Sequence, residues 1–170
     1  MSDLNIAPII VCGMPRSGTS MARDLLRSMD NIYVINGEPS IKLLRSYYSF
    51  LNEVDSSLKD IRKPSRKSFD LNKDFLTFMA LCAIDKYPKK IPADFSIFNY
   101  FVAKSPSFEF HIKELSEAFS KENPPKFIYC TRSPEKVWKS LISMPWNNRN
   151  VLSFKARYIK SHNCFYNFLK

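Results

Sequence analysis

The sequence predicts an α/β domain in which helices cover both faces of a central, mainly parallel sheet. Three observations predict it. Short apolar runs alternate with amphipathic segments, the pattern of strands joined by helical crossovers. The runs at 9–12, 32–35, 100–103 and 127–130 are apolar throughout, and 9–12, flanked by proline and glycine, has the pattern of a strand covered on both faces. The first run passes through a glycine-containing turn directly into a helical pattern. Parallel strands joined by right-handed crossovers gather their ligands at the carboxyl ends of the strands.

Each element has its own signals. Pro8 and Gly13 flank the first strand, and Met21, Ala22, Leu25, Leu26 and Met29 then recur at helical spacing. That spacing predicts a helix lying on the sheet with Arg23, Asp24 and Arg27 outward. Residues 32–35 form a second strand closed by Asn36 and Gly37. Pro39 suits a first helical position, ahead of Ile41, Leu44, Tyr48 and Leu51. Residues 59–74 are polar and basic and read as a loop, and 75–84 as a mostly buried helix. A third strand at 100–103 leads into Lys104 and a helix carrying Phe108, Ile112, Leu115 and Phe119. Residues 127–130 form a fourth strand, after which Ser133 is placed to cap a helix with Pro134 at its first position. Val151, Phe154, Tyr158, His162, Phe165 and Leu169 mark one face of a last helix.

Length and composition bound the function. A chain of 170 residues, 45% hydrophobic, suits one domain spanning 1–170 that buries roughly 70% of its unfolded surface. The net charge of +10 points to an anionic partner: nucleic acid, a membrane surface or a ligand carrying several phosphate or sulfate groups. The four cysteines are scattered and form no metal-type spacing with the two histidines, which suits reduced thiols in the cytoplasm. No leader is visible at the start, and no apolar segment is long enough for a membrane span. His111 and His162 read as structural, and Cys12 and Cys130 as buried, inert thiols.

The turn after the first strand, Gly13-Met-Pro-Arg-Ser-Gly-Thr-Ser20, has the G-x-x-x-x-G-x-[ST] frame of a P-loop, the anion cradle of P-loop NTPase-like α/β/α folds. Threonine stands where a nucleotide-hydrolysing loop carries lysine. The fourth strand leads into Thr131 and Arg132 and not an aspartate that would help anchor magnesium. A site with neither suits an anion that side chains alone can neutralise.

On these residues the chain resembles the sulfotransferases that use 3′-phosphoadenosine 5′-phosphosulfate (PAPS). The turn at 13–20 is similar to their 5′-phosphosulfate loop, and residues 126–140 resemble their 3′-phosphate signature, a strand leading to arginine and then a helix bearing serine. Gly37-Glu38-Pro39 and Lys104-Ser105-Pro106 resemble segments of the tyrosylprotein and related branch. The resemblance covers residues 9 to about 143, with nothing matched between 55 and 97.

The resemblance implies roles. Arg16, Ser17, Gly18, Thr19 and Ser20 would bind the 5′-phosphosulfate, with Arg16 neutralising the leaving group. Arg132 and Ser140 would grip the 3′-phosphate. Glu38 would be the general base and Lys104 would stabilise charge on the bridging oxygen or the moving sulfuryl group, with no metal required. The acceptor group would be a hydroxyl or an amine on a small molecule, glycan or peptide; no nucleic acid is expected, and the product would be 3′-phosphoadenosine 5′-phosphate (PAP). From the residues alone, Glu38 equally suits a helix N-terminus, Ser140 a bond to its own helix and Lys104 an ordinary surface position. Arg132, ending a buried strand, calls for an anion.

Two other classes stay open. A P-loop kinase would bind ATP with magnesium, and a non-catalytic nucleotide or polyanion binder would lose affinity uniformly with salt. Family members continue past the last helix with a strand and a lid. On that pattern this is a short or truncated member, or one completed as a homodimer.

Overall fold

The computed structural model describes residues 7–35, 37–39, 46, 49, 53, 83–84, 97–118, 124–148 and 150–170. The expected loop at 59–74, most of the helix placed at 75–84 and Phe119 lie outside them.

Four strands form one parallel sheet: β1 (Ala7–Cys12), β2 (Ile32–Val34), β5 (Tyr100–Lys104) and β6 (Lys126–Tyr129), in the order β2-β5-β1-β6. β1 lies between β5 and β6, with Val11 level with Lys104 and Cys12 level with Tyr129. Its pairing continues past the strand ends, because Ser105 N–H donates to Val11 O and Cys130 N–H to Cys12 O. The chain builds β2 and β5 on one side of β1 and then crosses to place β6 on the other, which makes the carboxyl end of β1 the point where strand order reverses.

Helix α1 (Thr19–Arg27) covers one face, where Ala22 and Leu26 pack on Ile9, Val11, Val34 and Val102. A 3₁₀ turn (Phe108–His111) packs on β1 and on the last helix, and α2 (Ile112–Ala118) follows it. α3 (Pro134–Ile142) and α4 (Val151–Phe168) share a core of Val137, Leu141 and Phe154 that also encloses Met14 from the loop after β1. The result is the expected three-layer α/β/α arrangement.

Four details differ from expectation. Met21, Leu25 and Met29 are exposed, at 76%, 64% and 50%, while Thr19, Ala22 and Leu26 face the sheet and Arg23 is largely covered. The loop sets the phase: Thr19 is buried where the helix begins, and positions three, four and seven residues on must share its face. Glu38–Pro39 is a short strand, β3, pairing antiparallel with β4 (Ala83–Ile84), so Pro39 is itself extended and 83–84 are extended; Ile41, Leu44, Tyr48 and Leu51 lie outside the described residues. Proline drives the residue before it out of the helical region, and a two-residue strand has little need of its missing N–H. Ser133 makes no side-chain cap, although Pro134 does stand at the start of α3. Val151 and Leu169 are exposed at the ends of α4, leaving Phe154, Tyr158, His162 and Phe165 as its covered face.

Candidate functional site

Gly13 starts the loop with φ 131°, and a Cβ there would stand 2.3 Å from the Cys130 carbonyl oxygen. Only glycine lets the loop root approach the end of β6 so closely. Met14 plugs into the core between α3 and α4. Ser17 directs both donors at Met14 O, its hydroxyl at 2.6 Å and its N–H at 3.1 Å, which ties the turn to itself. Arg16, at φ 72°, and Gly18, at φ 105°, complete the reversal.

Gly18 is the N-cap of α1 and supplies no side-chain acceptor, and the first turn holds no acidic residue. The first N–H groups of α1 thus face the carboxyl edge of the sheet with the positive end of the helix dipole behind them. Ser20 is exposed there. This arrangement is suited to an anion.

Two side-chain pairs flank the loop. Arg16 Nε donates to Ser140 Oγ at 2.9 Å, joining the loop to α3 across 124 residues of sequence. Ser140 Oγ thus reaches from α3 to the loop. Lys104, 4% exposed at the end of β5, forms an ion pair with Glu38, the more exposed partner, on β3. A buried ammonium needs such a counter-charge. Lys104 is thereby no ordinary surface lysine, and Glu38 no helix-terminal carboxylate.

Arg132 stands exposed beyond β6, its backbone carbonyl accepting from the Tyr158 hydroxyl at 2.7 Å. β6 is a sheet edge among the described strands, with a half-exposed pattern, so the burial argument for an anionic partner of Arg132 does not hold. Its position at the carboxyl edge, two residues beyond the carbonyl that abuts Gly13, is what remains.

Sequence reasoning missed Glu109. It lies in the 3₁₀ turn, 1% exposed, accepting from Gly13 N–H at 3.2 Å and from the Ser161 hydroxyl at 2.9 Å. Ser161 Oγ in turn lies 3.0 Å from the Tyr129 hydroxyl. No spacing rule marks such a glutamate, because its partners are a backbone amide 96 residues away and a serine on the last helix. Burial raises the Cys12 thiol far above its ordinary range, with Glu109 adding to it, and burial also raises Cys130. Both thiols are held protonated, as inert thiols are; Cys12 is buried as expected, whereas Cys130 is only partly covered.

A parallel sheet whose central strand turns through a glycine-rooted loop into an uncapped helix is the P-loop class of α/β fold. A family model described as Sulfotransferase family matches residues 8–167. The chain belongs to the sulfotransferase family, a family of transferases, and sulfuryl transfer is its class of activity. No curated protein matches it. No described helix is long and apolar enough to cross a membrane.

Proposed function

We propose that this chain moves a sulfuryl group from PAPS to an acceptor hydroxyl, with Glu38 as general base. The observation that carries this reading is the Lys104–Glu38 ion pair, set where β5 ends beside the strand that feeds the anion loop. The donor fits the residues present: an uncapped helix start rooted at Gly13 for the 5′-phosphosulfate, Arg16 beside it, and Arg132 with Ser140 for the 3′-phosphate. PAPS supplies an activated sulfuryl group attached to a phosphate.

Arg16, Gly18, Thr19 and Ser20 receive that end, while Ser17 acts through the shape of the loop. Glu38 takes the acceptor proton and becomes neutral. Its hold on Lys104 then weakens, and the ammonium is free to meet the negative charge developing on the bridging oxygen. Proton removal and electrostatic stabilisation are thus coupled through one ion pair. Preorganised donors of this kind contribute on the order of 3 kcal/mol each. The motif pattern lies nearest the tyrosylprotein branch, with a small molecule, glycan or peptide as acceptor.

Calorimetry with PAP against ADP tests the donor. PAP is expected to bind at least about 10-fold tighter, and Arg132→Ala should remove most of that preference. Equal affinity for the two nucleotides would overturn the assignment. Glu38→Ala is expected to lower transfer about 100-fold or more while PAP affinity holds. A variant with full transfer would remove Glu38 from the base role.

A further inference from the structure

We propose that Glu109 is the positioning residue of the anion loop, fixing the Gly13 amide so that the donors beyond it stand ready for the ligand. The role rests on the reading of the loop as the donor site. The carboxylate is almost fully buried, yet both groups that contact it are donors: the Gly13 N–H and the Ser161 hydroxyl. A carboxylate taken out of water is strongly disfavoured unless its oxygens are satisfied, and here one oxygen serves the loop and the other serves α4.

Gly13 is where such a bond has most effect. The residue sits at φ 131°, tight against the Cys130 carbonyl, and its N–H is the first donor after β1 ends. A charge-assisted bond to Glu109 turns that N–H inward, so the amides offered to a ligand begin further along the loop. The same carboxylate extends through Ser161 to the Tyr129 hydroxyl, so β6, α4 and the 3₁₀ turn converge on one loop atom. Arg157, also on α4, braces this 3₁₀ segment from outside by donating to Ser107 Oγ at 3.1 Å and lying over the Phe110 ring. A site that must hold several negative charges nevertheless keeps an acidic group beneath it. Geometry, not charge, is the contribution that makes sense of this.

Substitution separates the two. Glu109→Gln keeps the shape: its amide oxygen can accept from Gly13 N–H, its amide nitrogen can donate to Ser161 Oγ, and the Ser161 hydroxyl can turn to Tyr129. Glu109→Asp keeps an acid but withdraws it by one methylene. Amide hydrogen exchange on the ligand-free protein and PAP titration would be measured on wild type and on the Gln, Asp and Ala variants. Exchange at 13–20 should rise at least about 10-fold in the Asp and Ala variants, while 100–104 keeps its protection. PAP affinity should fall about 10- to 100-fold in those two and stay at the wild-type level or better in Glu109→Gln. If Ala fails to fold, Asp against Gln still decides. A Gln variant as impaired as Asp, or an Asp variant with wild-type exchange at 13–20, would overturn the assignment. Should wild type bind PAP no better than ADP, the donor reading falls, while the exchange comparison still judges Glu109.

Discussion

Gly13 and Gly18 both hold positive φ, but a methyl group would meet different surroundings at each. At Gly13 it would overlap a backbone carbonyl that cannot swing away; at Gly18 nothing lies within 4 Å. Gly18→Ala should therefore cost only the backbone strain, about 1–2 kcal/mol. Gly13→Ala should cost clearly more and displace the loop root, and urea midpoints of the two variants would check the order. Equal losses would mean that the loop can retreat from Cys130. The roles implied for Arg16, Glu38, Lys104 and Ser140 were legible as motifs, and the structure pairs these residues two by two. The local signal at Glu38 was readable as well, since a residue preceding proline favours extended backbone. Glu109 was not legible: its importance comes from which amide the fold brings to it. An anionic partner for Arg132 does not follow from its strand for a related reason: an apolar run does not reveal whether its strand lies at the centre or the edge of a sheet.

Elements were read well where pattern and packing agree and poorly where a neighbour sets the phase. The apolar residues of α1 span more than one face, and the sequence assigns Met21, Ala22, Leu25, Leu26 and Met29 together to the sheet side, of which only Ala22 and Leu26 pack there. Burial of Thr19 at the helix start selects their face. Met21→Gln and Leu25→Gln should consequently change stability by no more than about 0.5 kcal/mol. Leu141→Ala, emptying a fully buried position in the core that encloses Met14, should cost about 2–5 kcal/mol. Thermal or urea denaturation of the three variants tests the assignment; a large loss at Leu25 would place the outer stripe in contact with something. Caps show the same division. Ser133 has the right side chain but makes no cap, whereas Asn150 accepts from Ser153 N–H at 2.9 Å and starts α4. Asn150→Ala should cost about 1 kcal/mol.

At the scale of the molecule, what cannot be read from one sequence is which elements close against each other, and α4 is the clearest case. It lies along β6 through Tyr129 stacked on Phe165 at 4.4 Å and edge-on to His162 at 5.4 Å. His162 also meets Tyr158 at 4.5 Å. Burial lowers the His162 pKa below its ordinary 6.5, with Glu109 opposing only in part, and burial pushes the Tyr129 phenol up to about 12. The imidazole is therefore neutral in the folded protein at pH 7, whereas the unfolded chain takes up a proton near pH 6.5. Because the unfolded state binds more protons in that window, stability rises with pH there and is lost as pH falls through 6.5 toward the lowered folded value. Every other ionisable group is common to both proteins, so the difference between wild type and His162→Phe isolates His162. Urea midpoints at pH 7.5 and 5.5 should fall further for wild type than for His162→Phe, which keeps an aromatic ring between Tyr129 and Tyr158 and has no proton to gain. Parallel losses in the two proteins would mean that α4 does not hold this histidine away from water.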